Sequence, residues 1–285
     1  MIIVPSSSSE SLARKVADEL GAKISDVERK RFPDGELYIR ILEEMKGKEV
    51  VVIGSIRSDS DFLELLFLLN ASWEGGARKI TAVLPYFGYS RQHRIYNPGE
   101  PVSSKVVTKS VDRFSDRIIA VELHDPETLG FTDKPFHNIS VIKSTSEFFR
   151  DRNIDLIMSP DDGGYERAKG MAEILGIPSC YIEKTRIDSK TVKMELPDVE
   201  VKGKNILLVD DMISTGGTII KAANLLRERG ASSVSVCAVH GVFNKESGMK
   251  IEAAVDSLVV TNTIGGNYSL VSVAGDIAKV ISGEE

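Results

Sequence analysis

The chain has 285 residues, 42% hydrophobic and 27% charged, which is more than one core needs and predicts two globular domains. Its formal net charge of −6 argues against a nucleic-acid partner. The longest apolar patch, 62–69, is broken by Glu64 and too short for a bilayer, and the opening MIIVPSSSSE lacks the basic stretch of a signal peptide.

In chain order, Ile2-Ile3-Val4 reads as a short strand. Ser6 to Ser9 can cap a helix over 12–20, which Gly21 ends. Apolar and polar residues alternate over 24–42, which predicts antiparallel strands. A strand at 50–53, a helix at 62–73 and a strand at 80–84 follow, then a loop at 91–101 rich in Arg, Gly and Pro. A helix is expected over 103–114 and a strand over 118–123, ending at His124. Next come a helix at 145–152, a strand at 156–158, the turn Asp161-Asp162-Gly163-Gly164, a helix at 165–175 and a strand at 180–182. Polar residues 184–200 read as a flap. Strands at 206–209, 234–239 and 257–260 and a short helix at 277–281 complete the chain. Cys180 and Cys237 lie in apolar runs and read as buried free thiols, which suits a reducing cytoplasm.

Two segments repeat. KGKEVVVIGS at 46–55 resembles VKGKNILLVDD at 201–211, and GGARKITAVLPYFG at 75–88 resembles RGASSVSVCAVHGVF at 229–243. The near-constant offset predicts two copies of one α/β unit, divided into 1–142 and 143–285. Alternating strands and helices predict a mainly parallel sheet flanked by helices in each copy, with ligands at the carboxyl ends of the strands.

The richest stretch is NILLVDDMISTGGTIIKAA at 205–223. A buried strand ends in Asp210 and Asp211, a loop Ser214-Thr215-Gly216-Gly217-Thr218 follows, and helical spacing resumes at Ile219. Glycines let amides approach an anion, a helix N-terminus adds positive potential, and the hydroxyls can donate to phosphate oxygens. The two acids can hold ribose hydroxyls or a magnesium ion. No Gly-Lys-Ser/Thr closes the loop, so it is not a Walker A motif. This loop resembles the ribose-5-phosphate loop of the type I phosphoribosyltransferases and fixes a ligand class, not a reaction.

Other patterns have ordinary readings when taken singly. Phe32-Pro33-Asp34-Gly35-Glu36 is turn chemistry, or an aromatic to stack on a base with two acids to accept from an exocyclic amine. Arg91-Gln92-His93-Arg94 is a solvated loop or a polyphosphate clamp. His124 is structural or a ligand. Asp161 to Gly164 is a bare turn or an anion-plus-metal site. Lys184 and Arg186 share a face of an extended segment, as surface charge or as charge for a reaction. His137 and His240 have no ligand pattern around them.

In order and spacing together, FPDGE, RQ, the strand-end His, SPDDGG, KTR and VDDMISTGGT resemble ribose-phosphate pyrophosphokinase (PRPP synthetase) over nearly the whole chain. The resemblance implies two tandem phosphoribosyltransferase-like domains and a magnesium-dependent enzyme that acts on ATP and ribose 5-phosphate as a homodimer or larger homo-oligomer. It implies adenine at Phe32, Asp34, Gly35 and Glu36, and ATP contacts from Arg91 and Gln92 with His93 beside them. It implies magnesium at His124 and Asp161, and the pyrophosphoryl group at Asp161, Asp162, Gly163 and Gly164. It implies transition-state charge from Lys184 and Arg186, ribose hydroxyls at Asp210 and Asp211, and the 5-phosphate at Ser214, Thr215, Gly216, Gly217 and Thr218, with Arg186 alongside. His93 and Ser214 stand where many bacterial members have Asp, and Asp125 to Leu129 lacks the glutamines common there. A nucleobase phosphoribosyltransferase would share only the last motif. A catalytically silent homologue would have lost metal or flap residues that this chain keeps.

Overall fold

Short apolar runs, bounded by polar or turn residues, assemble into two parallel sheets. The computed structural model describes residues 1–186 and 192–284. The first unit contains β1 (Ile2–Pro5), α1 (Glu10–Leu20), β2 (Lys23–Ile24), β3 (Val27–Arg31), β4 (Leu37–Ile41), β5 (Glu49–Ile53), α2 (Asp59–Glu74), β6 (Lys79–Leu84), α3 (Ser103–Asp112), β7 (Arg117–Val121) and β8 (Phe136–Ile139). Its sheet runs β2-β1-β5-β6-β7-β8, every pair parallel. Alternate residues Val50, Val52, Ala82, Leu84, Ile118 and Ala120 form one buried face against Leu65, Leu68 and Leu69 of α2 and Val107 and Val111 of α3. β3 and β4 pair only with each other, as an antiparallel hairpin.

The second unit contains α4 (Ile142–Phe149), β9 (Leu156–Ser159), α5 (Tyr165–Leu175), β10 (Ser179–Tyr181), β11 (Glu183–Arg186), β12 (Val192–Glu195), β13 (Asn205–Ile213), α6 (Gly217–Glu228), β14 (Ser233–Gly241), α7 (Lys245–Glu252), β15 (Ser257–Thr261) and β16 (Ser269–Val271). Its sheet order, β10-β9-β13-β14-β15-β16, reproduces the first. β5 and β13 are both third in the order, and β6 and β14 both fourth, which is the sequence repeat seen in space. One face packs on Ile219, Ala222, Ala223 and Leu226 of α6. The other packs on Ala168, Met171 and Ala172 of α5. Cys237 is buried and Cys180 half-buried, and burial pushes their thiols up to about 12 and about 11, so both stay protonated.

The expected second domain, 143–285, needs correction at its end. The final helix, α8 (Ala274–Ser282), belongs to the first unit, which comprises Met1–Ser140, Thr263–Gly265 and Val273–Glu285. The second unit is Val141–Asn262 with Gly266–Ser272. The cause is packing: α8 buries Ile277, Ala278 and Ile281, and it contacts α1 and β8. Arg117 of β7 donates from its Nη1 and Nη2 to the Val280 and Ile281 carbonyls, at 3.2 and 3.4 Å, which caps the end of α8. Within the expected flap, β11 and β12 form an antiparallel ribbon, while 187–191 lie outside the described residues. The strand expected at 206–209 runs on to Ile213, because Met212 and Ile213 are buried and pair with His240 and Gly241. Among the described residues, no helix is long and apolar enough to cross a membrane.

Candidate functional site at the carboxyl end of the second sheet

β9 leads through α5 to β10 on one side, and β13 leads through α6 to β14 on the other. The two strands are direct neighbours, with Leu156, Ile157 and Met158 opposite Ile206, Leu207 and Leu208. The connection reverses between them, so a crevice opens beyond their carboxyl ends, where open α/β sheets bind ligands.

On the β13 side, Asp210 and Asp211 follow the buried Val209 and are themselves partly buried. The Asp211 amide donates to Asp210 Oδ1 at 2.9 Å, and the Met212 amide to Asp211 Oδ1 at 2.6 Å. Burial, then the charges of Asp211 and Asp161, push the Asp210 carboxyl up to about 7. Gly216 sits at φ +78°, and a Cβ there would meet Ile251 Cγ1 at 2.4 Å, so both backbone and space require glycine. α6 then starts with no side-chain cap among the described residues, leaving its first amides facing the loop. Thr215 Oγ1 is only marginally close, 3.5 Å from the Gly217 amide.

On the β9 side, Ser159 Oγ donates to the Asp161 carbonyl at 2.5 Å. A Cβ on Gly164 would lie 2.4 Å from that same hydroxyl oxygen, so the turn Asp162–Gly164 needs a glycine at its end. Asp161 Oδ1 lies beside Gly163, 3.4 Å from where its Cβ would be. α5 also begins without a side-chain cap among the described residues. The site thus combines two uncapped helix starts with three acids, Asp161, Asp210 and Asp211, whose charges act on one another. Uncapped amides suit phosphate, and an all-oxygen acidic donor set suits magnesium.

The first unit closes its equivalent position with its own side chains. At the β1/β5 switch, the Ser7 amide donates to Glu64 Oε1 at 2.7 Å and the Ser7 hydroxyl donates to Glu64 Oε2. Arg29 Nε donates to Glu64 Oε1 at 2.8 Å, and its Nη2 to the Pro5 carbonyl at 2.6 Å. Glu64 is 6% exposed, so a carboxylate is built in where an anion would otherwise sit. The expected cap from Ser6 to Ser9 therefore does not form. Those serines make the turn Ser7–Ser9, and Glu64 satisfies the amide. α2 is closed by Ser58, which accepts from the Asp61 amide at 3.2 Å.

The remaining sequence-predicted residues belong mostly to the first unit. Phe32 to Glu36 form the exposed hairpin tip. The Gly35 amide donates to the Phe32 carbonyl at 2.8 Å, with Gly35 at φ +93°, and Phe32 meets Tyr38 edge-on at 6.1 Å. Arg91 is exposed. Gln92 accepts from the Ser103 hydroxyl and the Ser104 amide, so it orders the start of α3. His93 is buried, with Nε2 3.1 Å from Asp125 Oδ2. His124 is exposed just past β7, and the preceding Glu122 holds a left-handed φ of +44°, a strained position of the kind that clusters at functional sites. In the second unit, Lys184 and Arg186 lie opposite Met194 and Val192 in the ribbon. Glu64 and the Asp125 to Glu127 turn escape sequence reasoning, since Glu64 reads only as a break in an apolar patch.

Residues 1–115 match the family model described as the N-terminal domain of ribose phosphate pyrophosphokinase, and 133–271 match the phosphoribosyl transferase domain. A ribose-phosphate pyrophosphokinase of Thermoplasma acidophilum is 41% identical over 100% of this chain and 99% of its own. That of Thermococcus kodakarensis is 43% identical over 92% and 95%. The crystal structure of phosphoribosylpyrophosphate synthetase from Mycobacterium smegmatis superposes with a TM-score of 0.87 at 30% identity, covering 99% of this chain and 97% of that one. The chain belongs to the ribose-phosphate pyrophosphokinase family.

Proposed function

We propose that the chain transfers the diphosphoryl group of ATP to the C1 hydroxyl of ribose 5-phosphate, giving 5-phosphoribosyl 1-diphosphate and AMP. One observation carries this reading: a ribose-phosphate pyrophosphokinase aligns with the chain from end to end at 41% identity. The hairpin at 32–36 and the RQH loop at 91–93 lie in the first unit, outside the half that a nucleobase phosphoribosyltransferase would share.

Asp210 and Asp211 accept hydrogen bonds from the ribose hydroxyls. Ser214, Thr215 and Thr218 donate to the 5-phosphate, with the amides of Gly216, Gly217 and the first turn of α6 behind them. Asp161 to Gly164 receive the pyrophosphoryl group at the start of α5. Phe32 stacks on adenine while Asp34 and Glu36 accept from its amine, and Gly35 provides the turn between them. Arg91 and Gln92 contact ATP, and the buried His93 supports their loop. The anomeric oxygen attacks the β-phosphorus in line. The bond from that phosphorus to the oxygen bridging it to the α-phosphorus breaks, and AMP leaves with that oxygen. Lys184 and Arg186, with Arg186 also toward the sugar phosphate, stabilise the charge of the transition state. His124 and Asp161 would hold magnesium, which would supply neutralisation of phosphate charge. Closure of the segment 184–200 excludes water, which would otherwise hydrolyse ATP. The assembly is a homodimer or larger homo-oligomer in which the hairpin serves a neighbouring subunit. An exposed tip, with Phe32 51% exposed, supports that.

Chromatography of a reaction with magnesium, ATP and ribose 5-phosphate tests the proposal. AMP appears in step with 5-phosphoribosyl 1-diphosphate, and both require the sugar phosphate. A nucleobase phosphoribosyltransferase would ignore ATP and consume 5-phosphoribosyl 1-diphosphate when given a free base.

A further inference from the structure

We propose that the first unit carries a binding site for a divalent transition-metal ion of the Mn2+ or Zn2+ kind, formed by His93, Asp125 and Glu127. It is distinct from the His124 and Asp161 pair assigned to magnesium. A ligand atom from each of the three lies within 4.8 Å of the other two, the one such group of three His, Cys, Asp or Glu among the described residues. His93 comes from the loop between β6 and α3, and the two acids come from the turn after β7. The fold therefore brings them together, not the sequence.

The geometry is fixed on two sides. Asp125 Oδ1 accepts from the Glu127 amide at 2.8 Å, which turns Oδ2 toward His93 Nε2 at 3.1 Å. Two ligand atoms on one ion, each about 2.1 Å from it, stand roughly 3 to 3.4 Å apart, so this pair is already at ligand spacing. Glu127 is exposed and can swing to complete the set while leaving positions open to water.

Charge and burial point the same way. Among the described residues, no lysine or arginine pairs with Asp125 or Glu127, so two carboxylates converge on one imidazole without a permanent cation. His93 is 9% exposed, and its Nδ1 is buried with no hydrogen-bond partner. Nε2, the nitrogen on the acid side, makes the ring's polar contact with Asp125, so it is the nitrogen that would ligate an ion. One imidazole nitrogen with two carboxylate oxygens is a donor set that suits Mn2+ or Zn2+. A bound ion would cross-link the loop that carries Arg91 and Gln92 to the turn that follows His124.

The test uses full-length protein stripped with chelator and no nucleotide. Mn2+ is titrated and free Mn2+ followed by electron paramagnetic resonance, with Zn2+ as competitor. Wild type and His124→Ala should bind one ion per chain at this site. Glu127→Gln and His93→Ala should each weaken it about 10- to 100-fold. Glu127 is exposed, so Glu127→Gln keeps the fold, and circular dichroism without metal checks both variants. Absence of nucleotide-free binding overturns the proposal. So does binding that survives Glu127→Gln and His93→Ala, or binding that His124→Ala alone removes.

Discussion

Replacing Gly216 by alanine should damage the second unit, whereas the same change at Gly217, one residue on, should not. At Gly216 the φ of +78° costs a Cβ-bearing residue about 1–2 kcal/mol. The new Cβ would also stand 2.4 Å from Cγ1 and 2.6 Å from Cδ1 of Ile251, a fully buried side chain. Forcing such an overlap costs about 1–3 kcal/mol more. The sum, about 2–5 kcal/mol, corresponds to a fall of roughly 10 °C or more in the melting of a unit this size. Gly217 has no positive φ, and its Cβ would find only Thr215 Oγ1, at 3.8 Å. Alanine there gains up to ~1 kcal/mol of helix propensity. Thermal melts followed by circular dichroism compare the two variants with wild type. Calorimetric titration should show weaker ribose 5-phosphate binding for Gly216→Ala only. Adding Ile251→Ala to Gly216→Ala should cost less than Ile251→Ala costs alone, because the cavity it leaves relieves the overlap. A Gly216→Ala protein that melts with wild type refutes the reasoning.

Four further outcomes are expected. Glu64→Gln should destabilise the first unit by about 3 kcal/mol, because Arg29, its side chain 20% exposed, loses the carboxylate it pairs with. Urea titration measures this, and a loss within ~1 kcal/mol, typical of an exposed pair, contradicts it. The Asp210 carboxyl is raised from 3.8 to about 7, so between those values the folded chain binds more protons than the unfolded one. That contribution is complete below about pH 4 and is lost as pH rises through the raised value, and Asp210→Asn should flatten this decline in urea titrations between pH 4 and 8. An unchanged profile counts against it. Lys184→Ala should lower kcat by ~10²–10³-fold with little change in KM, and a near-normal kcat removes Lys184 from the chemistry. Mixing two inactive variants, Asp34→Ala/Glu36→Ala and Lys184→Ala, should restore roughly a quarter of the activity in a dimer whose hairpin serves its neighbour. No recovery despite subunit exchange, confirmed by mass spectrometry, shows that the hairpin serves its own chain.

The buried parallel strands are legible because each is a continuous apolar run, such as Val50 to Ile53 and Ile206 to Val209. The edges are not. β2 has two residues and β16 three, too few to show a period. α7 escapes because its buried residues are only Gly248 and Ile251. The apolar stripe of α8 announces a packed helix but not its partner, and only the folded chain shows α1 beside it. The sugar-phosphate loop is contiguous in sequence and therefore readable. Glu64 meeting Ser7, and His93 meeting Asp125, join residues far apart in the chain, and no local pattern encodes them.

ATP labelled at the β-phosphorus tests the central claim most directly. With ribose 5-phosphate and magnesium present, the label should move entirely to 5-phosphoribosyl 1-diphosphate, in amounts equal to the unlabelled AMP released. Label found in ADP, or no sugar-dependent AMP at all, would contradict diphosphoryl transfer.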